Sequence, residues 1–339
     1  MFKHLYIEPT NRCNLRCFSC LRDYSARDEM SLEIFKEILY KIIKSIGKPK
    51  QISFFWRGEP TLNPKLPEMV RVAASEGIYT YVSTNSTLLY KENYARRLLK
   101  YLDKIELCVD GYNQETIEKY RSGISFEAVI KSLRTVGNIR SKTVREMRVL
   151  MFRWNDGKED FYRDLAKRYN FDLISFALPI IYLGSMSLTK KIVNEYLHPQ
   201  RKYQRYERRG DIFIHKGAPH CTINVKEQPI IAVDGTIYPC CYDRFGQFPL
   251  GNILTDDLRE INRRIEEIQP LMYKKALPIC WKYCFNTTIK TDYKEIVNLT
   301  SLLKKLIFNS LNTDPKLKLI LFRLKKSFAL AKSIFCARN

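Results

Sequence analysis

Residues 4–20 read HLYIEPTNRCNLRCFSC. The first five alternate apolar and polar side chains, as a strand does. They run straight into three cysteines, Cys13, Cys17 and Cys20, spaced C-x3-C-x2-C. Thiolates suit iron–sulfur clusters, and three of them on one loop ligate three irons of a four-iron cubane. The fourth iron is then open to a substrate or cofactor. Structural zinc asks for four tetrahedral ligands, and no fourth Cys or His lies near. A chance group of buried cysteines is the other alternative.

Working outward, five more strand candidates follow: QISFFW (51–56), YTYVS (79–83), KIELCVD (104–110), REMRVLMF (145–152) and DLISFAL (172–178). Helical patterns separate them. SLEIFKEILYKIIKSIG puts Leu32, Ile34, Phe35, Ile38, Leu39, Ile42 and Ile43 on one stripe, with Ser31 as N-cap and Gly47 as the stop. Further helices are expected near 66–76, 91–101, 126–139 and 159–169. Strand alternating with helix six times predicts a parallel sheet of βαβ units. Six units are too few for an eight-fold barrel, so the expected fold class is α/β, an open partial (β/α)6 barrel.

The expected domains are a barrel over 1–185, a basic linker over 186–220, a cysteine-bearing region of short strands over 221–291, and a basic amphipathic helical tail over 292–339. The turn VDGT (233–236) signals a hairpin.

Of 339 residues, 45% are apolar and 28% charged, and the net charge is +22. Such a chain is globular and favours an acidic partner, unless the lysines serve only solubility. No run of eighteen uncharged apolar residues occurs, and the first residues do not read as a signal peptide, so a cytoplasmic protein is expected. Ten cysteines without a secretory signal point to metal or redox chemistry rather than disulfides.

C-x3-C-x2-C after the first strand of a partial barrel resembles the radical S-adenosylmethionine (SAM) superfamily. The resemblance implies that Cys13, Cys17 and Cys20 hold a [4Fe–4S] cluster and that SAM chelates its open iron. WRGEP (56–60) is similar to the family's GGEP. By that likeness Gly58 lets the backbone approach the ligand, and Glu59 with nearby carbonyls accepts from the SAM ammonium group. VSTNS (82–86) resembles the segment facing the SAM ribose, with Ser83 and Asn85 on one side of the strand and Thr84 on the other. LCVDGYNQETIEKYRSGISFEAVIKSL (107–133) resembles a further family stretch. It would put Asp110 at the barrel mouth and Arg121 on the SAM carboxylate. The family's aromatic before the last cysteine is Ser19 here; Phe18, one earlier, is the adenine candidate. Reductive cleavage of SAM to a 5′-deoxyadenosyl radical, which removes hydrogen from an unactivated C–H, is the implied chemistry.

VDGTIYPC (233–240) and LGNIL (250–254) resemble the SPASM/twitch extension of these enzymes. Cys221, Cys240, Cys280 and Cys284 would then hold one auxiliary [4Fe–4S] cluster acting as electron acceptor, which implies a net oxidation. A four-cysteine structural zinc is the alternative. Cys241 reads as a spare, and Cys108 and Cys336 as ordinary residues.

The substrate classes are a small polyol or sugar, a peptide or protein side chain, and a lipid or lipid-linked glycan. The electron donor implied is a ferredoxin or flavodoxin. An iron–sulfur or zinc RNA-binding protein is the non-enzyme alternative. The tail holds nine Lys or Arg between 302 and 339 against Asp314 alone. It is compatible with packing on the barrel, with a peripheral position at the inner membrane face, or, ranked last, with nucleic acid.

Overall fold

The computed structural model describes residues 2–20, 22–182, 187–217, 220–277, 280 and 292–310, the side chains of 307, 308 and 310 aside. The first half runs β1 (His4–Ile7), β2 (Arg16–Cys17), α1 (Leu32–Ser45), β3 (Gln51–Phe54), α2 (Leu66–Ser75), β4 (Tyr79–Thr84), α3 (Glu92–Leu99), β5 (Lys104–Cys108), α4 (Gln114–Glu118), β6 (Arg121–Ser122), α5 (Phe126–Asn138), β7 (Val144–Leu150), α6 (Glu159–Arg168) and β8 (Leu173–Ala177). Six of these strands lie parallel and adjacent in the order β1-β3-β4-β5-β7-β8. This is the predicted open partial barrel.

Alternation sets its two faces. Ile52, Phe54, Val82, Ile105, Leu107, Met147, Val149, Ile174 and Phe176 are fully buried in one core with helix residues such as Phe35, Ile38, Val70 and Val129. The opposite face is polar. There His4 Nε2 meets Ser53 Oγ at 2.8 Å, Ser83 Oγ donates to Glu106 at 2.8 Å, and Lys104 pairs with Glu146 at 2.7 Å. Helix α1 begins as read, with Ser31 Oγ accepting from the Ile34 N–H at 3.1 Å. It ends where Gly47 takes φ +107°, a left-handed conformation that glycine adopts without a Cβ penalty.

The second half continues with β9 (Ser187–Thr189), α7 (Lys190–Tyr196), β10 (Tyr206–Arg209), β11 (Ile212–His215), β12 (Ile230–Ile231), β13 (Thr236–Tyr238), β14 (Gly251–Asn252), α8 (Leu258–Tyr273), β15 (Asp292–Ile296) and the helix Leu299–Ser310. The hairpin at 233–236 forms, and its strand β12 pairs parallel with β1, so the cysteine-bearing region extends the barrel sheet at that edge.

Two expectations change. The 186–220 stretch is not a plain linker, because β10, β11 and β9 form an antiparallel sheet. The edge strand β10 (YERR) carries exposed charges that hide the period-2 signal, and β9 and β11 are only three and four residues long. Nor is 292 the start of a helix. Residues 292–296 form β15, antiparallel to β8, which closes the other sheet edge. Lys305, counted with the basic tail, is buried and pairs with Asp172 at 2.7 Å. Residues 311–339, most of that tail, lie outside the described residues. Among the described residues no helix is long and apolar enough to cross a membrane.

Candidate active site

The cysteine loop sits at the C-terminal ends of the parallel strands, where the loops of such a sheet gather functional groups. Its shape is fixed by bonds to its own backbone. Arg22 donates to the carbonyls of Leu15 at 3.1 Å and Cys13 at 3.4 Å, and Tyr24 Oη donates to those of Cys17 at 3.0 Å and Cys20 at 3.3 Å. A two-residue ladder then fastens it to the chain after α4: Arg16 pairs with Ser122, and Cys17 with Arg121. The Phe18 N–H extends this to the Tyr120 carbonyl at 3.2 Å. Ser19, which replaces the expected aromatic, accepts from the Tyr182 N–H at 2.7 Å and donates to the Ile180 carbonyl at 2.9 Å.

Three cysteines thus face one region, close enough that each thiolate would repel the others. Burial pushes Cys13 up and Cys17 up to about 11, with Arg121 pulling Cys17 back. Donors approach the sulfurs: Asn85 Nδ2 lies 3.9 Å from Cys13 Sγ and Arg121 Nη1 lies 3.9 Å from Cys17 Sγ. Among the described residues no three His, Cys, Asp or Glu side chains converge on one ion. Thiols that each meet a separate iron need not converge, so this donor set, sulfur-only and fed by N–H groups, fits a cubane better than mononuclear zinc.

The structure places the remaining predicted residues differently in detail. Gly58 makes a close approach, but to the cysteine loop: a Cβ there would stand 2.1 Å from the Thr10 carbonyl oxygen and 2.5 Å from that of Arg12. The Glu59 N–H donates to the Arg12 carbonyl at 2.7 Å. The Glu59 carboxylate is buried and bonded to internal donors. Oε1 accepts from the Thr61 N–H (3.1 Å), the Thr61 hydroxyl (2.5 Å) and the Thr84 hydroxyl (2.6 Å), and Oε2 from the Asn85 N–H (2.7 Å). It is a hub joining two strand ends, with three donors on Oε1 and one on Oε2. Thr84, expected to point away, therefore has a part in the site. Ser83 faces the polar lumen through Glu106. Asn85 lies past the end of β4, where strand alternation no longer orients it, and donates to Asn14 Oδ1 at 2.9 Å.

Asp110 does not present an open carboxylate at the mouth. It is buried, with Oδ2 accepting from Arg121 at 2.6 Å and Oδ1 from the Leu150 N–H at 2.8 Å. Arg121 is correspondingly engaged by Asp110 and Cys17. The Phe18 ring packs among aromatic neighbours, edge-on to Tyr120 at 5.3 Å and tilted against Tyr196 at 4.8 Å.

Sequence reasoning missed several contributors. Arg57, where the family has glycine, holds the buried Glu8 through two bonds of 2.9 and 2.8 Å and lies 4.0 Å over the Trp56 ring. Trp56 Nε1 donates to the Cys241 carbonyl at 3.2 Å, and Arg244 donates to the Trp56 carbonyl at 2.5 Å. These bonds join the WRGEP stretch to the second cysteine set. In the lumen Arg148 pairs with Glu106 at 3.5 Å and with Asp292 at 3.7 Å. The mixed-charge alternation of REMRVL carries that signal, but only once the inward face is known.

In the second set, Cys221 and Cys240 are buried and Cys280 is half-buried. Cys221 Sγ accepts from the Ile223 N–H and Cys240 Sγ from the Tyr242 N–H, each at 3.4 Å. Burial raises the Cys221 thiol and the Ile223 N–H partly offsets it, so Cys221 and Cys240 are buried sulfurs with backbone donors, as a cluster held within the core requires. Cys241 packs beside Trp56, Ile230 and Ala232, and a hydrogen bond with Cys240 pulls its thiol down to about 7 against its burial. Burial raises the Cys108 thiol to about 12. Cys284 and Cys336 lie outside the described residues.

Comparison with known proteins agrees with this architecture. Residues 7–165 match the family model described as the radical SAM superfamily, and residues 221–285 match that of the SPASM iron–sulfur cluster-binding domain. The chain is 29% identical to the tungsten-containing aldehyde ferredoxin oxidoreductase cofactor-modifying protein of Pyrococcus furiosus, over 70% of each. It is 26% identical to the mycofactocin maturase MftC of Mycolicibacterium smegmatis, over 74% of this chain and 67% of that protein. The solved structure of native anSMEcpe with bound AdoMet has the same fold, with TM-score 0.56 at 17% identity over 95% of this chain and 99% of that one.

Proposed function

We propose, for a chain that belongs to the radical SAM superfamily and carries a C-terminal SPASM domain, a net oxidation of a polar substrate at an unactivated C–H bond. The cofactors of these domains are a SAM-binding [4Fe–4S] cluster, SAM and an auxiliary iron–sulfur cluster. When bound, they supply one electron to cleave SAM, a 5′-deoxyadenosyl radical to remove a hydrogen atom, and an acceptor for the electron the substrate radical then gives up. Cys13, Cys17 and Cys20 are the residues we assign to the first cluster, and Cys221, Cys240, Cys280 and Cys284 to the second. An external one-electron reductant, of the ferredoxin or flavodoxin class, starts the cycle.

The observation that carries this reading is that both cysteine sets are fastened to one barrel. The first follows β1, and the segment that carries Cys240 of the second is joined to that edge through β12 and the Trp56–Cys241 bond. The lumen between its strands is polar. Ser83, Glu106 and Arg148 offer hydrogen bonds and both signs of charge, which suits a peptide or polyol and counts against an acyl chain. Glu59 and Arg57 act on the chain itself, locking the ends of β1, β3 and β4 so that the loop is held in place before any ligand arrives.

The test is anaerobic incubation with SAM, a chemical reductant and deuterated peptide or polyol candidates, read as 5′-deoxyadenosine and its deuterium content. The wild type forms 5′-deoxyadenosine and Cys17→Ala does not. Cys221→Ala/Cys240→Ala still cleaves SAM but yields no oxidised product. Oxidised product from that double variant at the wild-type rate contradicts the role assigned to the second set.

A further inference from the structure

At the end of the barrel opposite the cysteine loop lies a cavity of about 620 Å³ whose wall carries Arg140, Lys142, Lys304 and Lys305. No carboxylate lines it among the described residues; the other groups include the hydroxyls of Ser141, Thr300 and Ser301. We propose that this cavity is a binding site for a phosphate group.

The topology assembles it. The loop from α5 to β7 brings Arg140 and Lys142. Strand β15 runs antiparallel to β8, with Ile296 opposite Leu173, so the chain leaves the sheet where the parallel strands begin and starts the helix Leu299–Ser310 there. The lysines at the cavity's back are already partnered: Lys142 with Asp103 and Lys305 with Asp172, each at 2.7 Å. Those carboxylates are also occupied from behind, Asp103 by the Thr80 N–H at 2.9 Å and Asp172 by the Arg145 N–H at 2.8 Å. Arg140 and Lys304 are exposed at the rim and have no carboxylate within ion-pair distance among the described residues.

The charge is therefore unbalanced where the cavity opens. Burial, and then the nearby Arg145, lower the pKa of Lys305, while its bond to Asp172 opposes them, so the unpaired charge of the site is that of Arg140 and Lys304 at the rim. Asn298 caps the helix, its Oδ1 accepting from the Ser301 N–H at 3.0 Å. The N–H groups of Leu299 and Thr300 have no intrahelical acceptor, and the twelve-residue helix directs its positive end here. Guanidinium, ammonium, hydroxyl and amide donors around one space match the several oxygens of a phosphate better than the two of a carboxylate. The volume leaves room for a diphosphate or for the head of a larger phosphate-bearing molecule. This inference does not rest on the proposed oxidation.

The experiment is calorimetric titration of the full chain with inorganic pyrophosphate at about 0.15 M salt, where diffuse surface attraction is screened. It is run beside sedimentation with phosphatidylglycerol and with phosphatidylcholine vesicles. Arg140→Ala/Lys304→Ala removes two rim charges without touching the core. Lys36→Ala/Arg208→Ala removes two exposed charges elsewhere. One saturable pyrophosphate site, weakened about tenfold or more only by the first pair, supports a soluble phosphate ligand. Retention on phosphatidylglycerol vesicles lost only with the first pair supports a phospholipid headgroup. Equal losses from the two pairs would show that only the net charge of +22 is being read. That result, or no binding of either probe, overturns the proposal.

Discussion

Arg121 is the sheet partner of Cys17, and the same guanidinium bonds Asp110 at 2.6 Å and lies 3.9 Å from the Cys17 sulfur. One side chain thus links the cysteine loop to the end of β5. Asp110 is fully buried, so losing its partner leaves a buried carboxylate with the Leu150 N–H but no compensating charge. Arg121→Gln should cost about 3–5 kcal/mol in denaturant unfolding. Asp110→Asn/Arg121→Gln should recover more than half of that. A single variant within about 1 kcal/mol of wild type would contradict the assignment.

Gly58 has no room for a side chain. Gly58→Ala places a methyl group 2.1 Å from the Thr10 carbonyl oxygen, so the cysteine loop must move. We expect the helical circular dichroism to persist while iron content after reconstitution falls by more than half. Full iron loading would show that the contact does not shape the loop.

Glu59→Gln tests the hub between strand ends. Its new amide group faces either the three donors on Oε1 or the Asn85 N–H on Oε2, and no orientation satisfies all four. A loss of about 1–3 kcal/mol is expected, together with weaker SAM binding by calorimetry. Unchanged stability with weaker SAM binding would instead favour direct contact with the ligand.

His215 gives the fold a pH dependence. Burial lowers it from 6.5 to about 3, so the unfolded chain takes up a proton first as pH falls. Its contribution is present above pH 6.5 and is lost progressively toward pH 3. Between pH 7 and pH 5 the loss amounts to about 2 kcal/mol. Comparing unfolding midpoints of wild type and His215→Phe over that range should show a flatter profile in the variant. Parallel profiles would mean that His215 does not carry the effect.

The barrel was legible because its signals are local and repeated. Six apolar runs, with Ser31 and Gly47 bounding the helix after the first, are enough to place the parallel sheet. The three cysteines stood out for the same reason, by spacing within eight residues. What escaped was long-range or concealed by charge. Edge strands β10 and β15 read YERR and DYKEI, where charged positions replace the apolar alternation, and β11, between β10 and β9, is only four residues long. The partners of Glu59 and Arg121 come from other segments of the chain, so residue type suggests a charged contact without saying which. Arg121 has the chemistry to bind a carboxylate, and the carboxylate it holds is the protein's own Asp110.

The most direct measurement is iron and sulfide per chain after anaerobic reconstitution, for wild type and for the Cys13→Ala/Cys17→Ala/Cys20→Ala variant. Two [4Fe–4S] clusters predict about eight irons falling to about four. About four irons falling to none, with zinc retained by the second cysteine set, would contradict the auxiliary electron acceptor and with it the net oxidation.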